Sequence, residues 1–129
     1  MTETTNPTSA VAMIDTYLDA YGEPDAERRA ALIHESWAPN GTLVDPPLDP
    51  ATGHAELATL FGVVQSHYPN HTFRRVTGVD QHHEFARYGW ELVGPDGAVA
   101  FGGTDVVEFG ADGRIVRVTG FIGELPALA

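Results

Sequence analysis

The spacing of apolar residues changes once along this chain. Up to about Tyr68 they recur every three or four positions; beyond it they alternate. Val11, Ile14, Leu18 and Tyr21 form one stripe with Tyr17 beside it, which predicts an amphipathic helix from a cap at Thr8 or Ser9 to about Gly22. A second helix is predicted after Pro24, with Asp25 near its cap and Ala30, Ile33 and Trp37 facing inward, until Pro39-Asn40-Gly41 breaks it. A third follows Thr52, carries Leu57, Leu60, Phe61, Val64 and Tyr68 at helical spacing, and stops at Pro69.

From there the period is two. "HTFRRVTGVD", "EFARYGWELV", "AVAFGGTDVVEF" and "RIVRVTGFIG" read as strands, with turns at Pro95-Asp96-Gly97 and Ala111-Asp112-Gly113. A short strand at Thr42 to Asp45 precedes them. Helices first and a mostly antiparallel sheet afterwards is an α+β order, not the alternation of a doubly wound fold.

Two aspartates stand out against this pattern. Val99, Phe101, Gly103, Asp105, Val107 and Phe109 share one strand face, so Asp105 is the single charge on an apolar stripe. If that stripe faces the interior, burial raises its pKa. The alternative is an edge or dimer-face aspartate paired with Arg87, Arg114 or Arg117. Asp45 shares its face with Leu43, yet an aspartate before Pro46 is also an ordinary turn residue.

Composition narrows the function classes. A length of 129 residues fits one domain, read as residues 9–129 behind a flexible tail at 1–8. Without cysteine there is no disulfide, thiolate nucleophile or thiolate metal site. A net charge of -11 opposes nucleic acid and anionic membrane as partners. The acidic, polar start is unlike a secretory signal, and no stretch approaches a membrane span, which gives the expectation of a soluble cytoplasmic protein. Six histidines raise the question of a metal, but Tyr68-Pro69-Asn70 ends the helix between His67 and His71, and His82 and His83 on an extended segment should point apart, so no metal site is expected. "GADGR" and "GPDG" are hairpin turns rather than phosphate loops, and no G-x-S-x-G elbow occurs.

Helix, helix, "WAPNGTLVDPP", a third helix and a sheet closing on "GTDVVEFGADGRIVRVTGFIG" together resemble the nuclear-transport-factor-2-like superfamily in its SnoaL-like branch, over about Val11 to Gly123. The resemblance implies a curved sheet wrapped around a cone-shaped cavity closed by three N-terminal helices, and a homodimer through the outer sheet face. It also places Asp45 at the cavity wall. Trp37, Phe61, Tyr88, Trp90, Phe101 and Phe121 are the aromatic residues expected around a small hydrophobic ligand, although such stripes also serve as plain core or dimer contact.

Within that superfamily the site pattern is similar to ketosteroid isomerases: a helix-one tyrosine, an aspartate in "LVDPP" and another in "DVVEFGADGRI". The resemblance implies Asp45 as general base, with Tyr17 and a protonated Asp105 donating hydrogen bonds to an enolate oxygen, and it calls for no cofactor. Trp37 and Phe61 stand where that family can carry a tyrosine network, so the pocket differs. Other branches offer other chemistry: a SnoaL-type ring cyclase could use either aspartate as acid or base, and a dehydratase would draw on Tyr17, Tyr88, His71, His82 and His83. The Asp-Arg-Asp set of the epoxide hydrolases lacks its second aspartate near Val118-Thr119-Gly120. Against enzymes of any kind stand a ligand-binding protein, in which Asp45 only turns the chain and Asp105 is ion-paired, and a dimerisation module whose cone is filled by Trp37, Phe61, Trp90 and Phe121.

Overall fold

A computed structural model describes residues 7–128. Helix α1 spans Pro7–Tyr21, α2 Ala26–Ser36 and α3 His54–His67. The cap expected at Thr8 or Ser9 is displaced, because the helix already begins at Pro7, whose missing N–H costs nothing in a first turn. Residues 1–6 of the expected tail lie outside the described residues. Asp25 caps α2 as predicted, its carboxylate accepting from the Arg28 N–H at 2.9 Å. The inner face of α2 is Arg29, Ile33 and Ser36, while Ala30 is exposed.

Trp37 departs from the helical reading. It opens strand β1, Trp37–Val44, which runs straight through Pro39-Asn40-Gly41. The reason lies in packing: the Trp37 ring folds back over Gly41, where a methyl group would stand 2.5 Å from its Cε3. Burial of a large aromatic overrides local turn chemistry. Likewise "HTFRRVTGVD" divides into β3, Thr72–Arg75, and β4, Asp80–His82. The remaining strands are β2, Ala51–Thr52, β5, Phe85–Val93, β6, Val99–Phe109, and β7, Ile115–Ile122. No helix among the described residues is long and apolar enough to cross a membrane.

One open sheet runs β2-β1-β7-β6-β5-β3, with β4 also on β5; β1 and β7 are parallel and every other pair antiparallel. Its registers stack the inner face into cross-strand rows. Ala86, Val107, Val118 and Leu43 form an apolar row, all buried. The next row is Tyr88, Asp105 and Gly120, and Asp45 continues it one step beyond the Val44–Thr119 pair. Trp90, Gly103 and Ile122 follow, then Leu92 and Phe101. The polar row therefore lies between the packed core and a more open end of the sheet.

Arg29 fastens the helical layer. It is 8% exposed, its Nε donates to the Glu23 carbonyl at 2.9 Å and its Nη2 to the Pro24 carbonyl at 3.1 Å, and its guanidinium lies over Gly62 of α3. One cation thus joins the α1–α2 connection to α3. Arg29→Met keeps most of the volume and removes these charge-assisted bonds, and is expected to lower stability by about 1–3 kcal/mol in urea unfolding; an unchanged midpoint would show that the two carbonyls do not depend on it.

Candidate functional site

Gly120 makes the site possible. A side chain there would overlap the Asp45 carboxylate and stand 3.1 Å from Oδ1 of Asp105, so Asp45 fills the space of the absent Cβ and lies beside Asp105. They come from different strands: Asp105 from the middle of β6, Asp45 from the residue after β1. The main chain of Asp45 does form a turn, its carbonyl accepting from the Leu48 N–H at 2.9 Å, while its side chain faces inward. Its backbone thus turns the chain while its carboxylate faces inward.

The two carboxyl groups have different surroundings. Asp105 is 2% exposed and accepts from the Tyr88 hydroxyl at 2.6 Å. Burial and the neighbouring Asp45 charge push its pKa up to about 8, against the Tyr88 hydrogen bond and the nearby Trp90 N–H. Among the described residues no cation pairs with it: Arg87 holds Asp80, Arg114 holds Asp112, and Arg117 is exposed. Asp45 accepts from the Tyr21 hydroxyl at 3.0 Å, and its Oδ1 is buried without a hydrogen-bond partner. Burial raises its pKa as well, partly offset by Tyr21.

Tyr17 sits behind this pair, 1% exposed, with its ring among Tyr21, Trp37 and Phe61. Burial and the fields of Asp105 and Asp45 raise its pKa well above the usual phenol value, so it stays neutral. The phenols that donate to the two acids are Tyr21 and Tyr88.

Asp45 and Tyr21 form the inner end of a cavity of about 630 Å³. Trp90, Phe101 and Phe73 give its sheet wall; Val64, His67 and Tyr68 give the wall at α3, and Pro46, Leu48 and Ile122 the lip. Of the aromatic residues expected there, only Trp90 and Phe101 line it. Trp37, Phe61 and Tyr88 belong to the buried packing beneath, because they point from β1, α3 and β5 into the helix–sheet interface. Phe121 is 59% exposed on the other sheet face, one residue out of phase with Gly120 and Ile122. The filled cone of a pure dimerisation module is therefore absent.

Sequence reasoning passed over Tyr21, Phe73, Tyr68 and Gly120. Tyr21 had a signal, four residues after Tyr17 on the same stripe. Gly120 had one also, since alternation from Val118 puts it on the inner face. The histidines behave differently from expectation: His83 takes a left-handed φ of 52°, and the Nδ1 atoms of His82 and His83 meet at 3.0 Å instead of pointing apart. No group of three or more His, Cys, Asp or Glu side chains among the described residues could hold a metal ion.

Residues 14–118 match the family model of the SnoaL-like domain, and the chain belongs to that family. A solved protein of Agrobacterium tumefaciens str. C58, provisionally named an isomerase of the SnoaL-like family, is 36% identical over 91% of this chain and 99% of its own, with a TM-score of 0.84. A protein of Jannaschia sp. CCS1, provisionally named a SnoaL-like polyketide cyclase, is 14% identical over 89% of this chain and 85% of its own at 0.71, and shares the fold. So does an NTF2-like protein of unknown function from Exiguobacterium sp. 255-15, 19% identical over 88% of this chain and 99% of its own, with a TM-score of 0.65. Among curated proteins none matches.

Carboxyl carbon shifts across a pH titration are expected to show Asp105 losing its proton near pH 8, and earlier in Asp45→Asn, where the neighbouring charge is gone. The folded protein holds this proton up to about pH 8, whereas the unfolded chain releases it near about 3.9. Stability is thus greatest at the acid end of that window and falls as pH rises to about 8. Asp105→Asn should flatten the dependence; an equally steep fall in that variant would assign it to other groups.

Proposed function

We propose that this SnoaL-like protein is a cofactor-free isomerase that moves a proton between carbons beside the carbonyl of a hydrophobic cyclic compound. The observation that carries this reading is the pair of carboxyl groups at Gly120, one belonging to a residue that lines the cavity and the other sealed in apolar surroundings. Asp45 takes the proton from the carbon next to the carbonyl, and the electrons move to the oxygen. The enolate is held by hydrogen bonds from neutral groups, with Asp105 as the donor carboxyl and Tyr17 behind it. Asp45 then returns the proton to another carbon. Burial raises the Asp45 pKa, which makes its carboxylate a stronger base.

A second reading, closure of a polyketide ring, draws on the same acid and base, and the open apolar cavity of about 630 Å³ supports it equally for a polycyclic product. Product analysis separates the two, since isomerisation retains the ring count. A ligand carrier without chemistry is separated by the absence of any turnover.

Solvent deuterium uptake into cyclic enones, followed by mass, tests the reading. Asp45→Asn is expected to slow uptake by about 10²–10⁴-fold. The rate in the native protein should rise as Asp45 ionises and fall as Asp105 ionises near pH 8. Uptake unaffected by Asp45→Asn would remove Asp45 from the chemistry.

A homodimer through the outer sheet face is part of the same proposal, since Val106 and Phe121 on that face are 40% and 59% exposed. Sedimentation equilibrium should give twice the chain mass of 13.8 kDa, falling to one chain in Phe121→Glu; a native monomer at micromolar concentration would refute it.

A further inference from the structure

The apolar space continues beyond the mouth of the cavity. Val63 of α3, 44% exposed, lines the cavity on one side and on the other an open groove of about 370 Å³. The loop between β1 and β2 serves both spaces as well, with Pro46 and Leu48 at the cavity and Asp49 and Pro50 at the groove. A molecule that overfills the first is therefore led into the second.

Helix geometry lays out the floor of this groove. Ala55, Thr59, Val63 and His67 follow one another at intervals of four, so they form a single ridge of α3 that runs from the groove to the cavity wall. From Val63 to Ala55 the ridge measures about 12 Å at 1.5 Å per residue. Its polar side chains are turned back on their own helix: the Thr59 hydroxyl donates to the Ala55 carbonyl at 3.1 Å, and Nδ1 of His67 donates to the Val63 carbonyl at 2.9 Å. Leu60 and, from β2, Ala51 complete the apolar lining.

This lining selects its occupant. The charged residues at the groove are Asp49 and Glu56, both acidic, and no basic residue lines it among the described residues, so a carboxylate or phosphate would meet only repulsion. A peptide would bring backbone N–H and C=O groups, yet Thr59 has spent its hydroxyl on Ala55 and Glu56 accepts from the Thr52 N–H at 2.9 Å. A hydrocarbon chain brings neither charge nor polar groups.

We infer that the groove is the binding track for an apolar chain carried by the ligand whose ring occupies the cavity. This rests on the isomerase reading and narrows its substrate class to a cyclic carbonyl compound bearing an uncharged hydrocarbon chain. The ring lies toward Asp45; the chain leaves over Val63 and follows the ridge toward Ala55.

The probes are 6-methyl-2-naphthol and 6-hexyl-2-naphthol, which share a ring and differ in chain. A fully buried methylene is worth about fourfold in affinity, and one lying on an open groove about twofold, so the hexyl compound should bind about 10–30-fold more tightly. Both should shift the methyl signals of Val64 and Ile122 in the cavity, and only the hexyl compound those of Ala55 and Thr59. The double variant Ala55→Glu, Thr59→Glu, with both changes on the exposed ridge, should abolish most of the gain and leave the affinity for the methyl compound within about twofold. If the gain survives in that variant, or the Ala55 and Thr59 methyls stay still, the chain lies elsewhere and the track is refuted while the isomerase reading stands. If those methyls shift with protein concentration alone, a second copy fills the groove and the inference is equally wrong. If neither compound disturbs Val64 and Ile122, the cavity does not take such rings, and this inference falls with the substrate class it refines. Absence of deuterium uptake into cyclic enones, with the chain-dependent binding intact, would remove the isomerase reading and leave the track in place.

Discussion

The structure depends on how two carboxyl groups are accommodated on the inner face of a packed sheet. Desolvation penalises each as an anion, and two anions side by side penalise each other. The fold answers with a missing side chain at Gly120, a tyrosine for each acid, and a division of roles in which Asp105 stays neutral and Asp45 borders the cavity. Remove any of these and the polar row becomes a defect in the core. With all of them it is a site.

The neighbouring rows explain why such a row is tolerated. Below it, Ala86, Val107, Val118 and Leu43 are completely or almost completely buried and supply ordinary apolar packing. Above it, Trp90 over Gly103 begins the cavity wall. Two glycines on successive inner rows therefore do different work: Gly103 makes room for the Phe121 carbonyl and the edge of the Trp90 ring, and Gly120 lets a carboxylate enter. In both cases the atoms that fill the space come from an adjacent strand, so the shape of the cavity is set by cross-strand register.

Much of this was legible along the chain. The three helices, the turns at Gly97 and Gly113 and the faces of β6 follow from spacing alone, because 3.6- and 2-residue periods are fixed by backbone geometry. Asp105 was legible for the same reason, as the one charge in an apolar stripe. Trp37 was not, since its helical spacing from Ile33 and the Pro39-Asn40-Gly41 triplet both argued for a helix ending in a turn. Only its seat on Gly41 turns that segment into a strand. The tyrosines were half legible: α1 was expected to present Tyr17 to the chemistry, whereas Tyr21, one turn later, reaches Asp45.

The sequence by itself determined the class of the fold, the inward faces of α1, α3 and β6 and the presence of one acid, Asp105, on an apolar face, since these rest on local periodicity and burial preference. What only the tertiary structure decided is which residues meet: that Asp45 and Asp105 come together at Gly120, that Tyr21 and Tyr88 each hold one of them, and that Phe121 turns outward. Those meetings join residues up to 75 positions apart in sequence, as Asp45 and Gly120 are, and they are fixed by strand order and register, which no local pattern specifies.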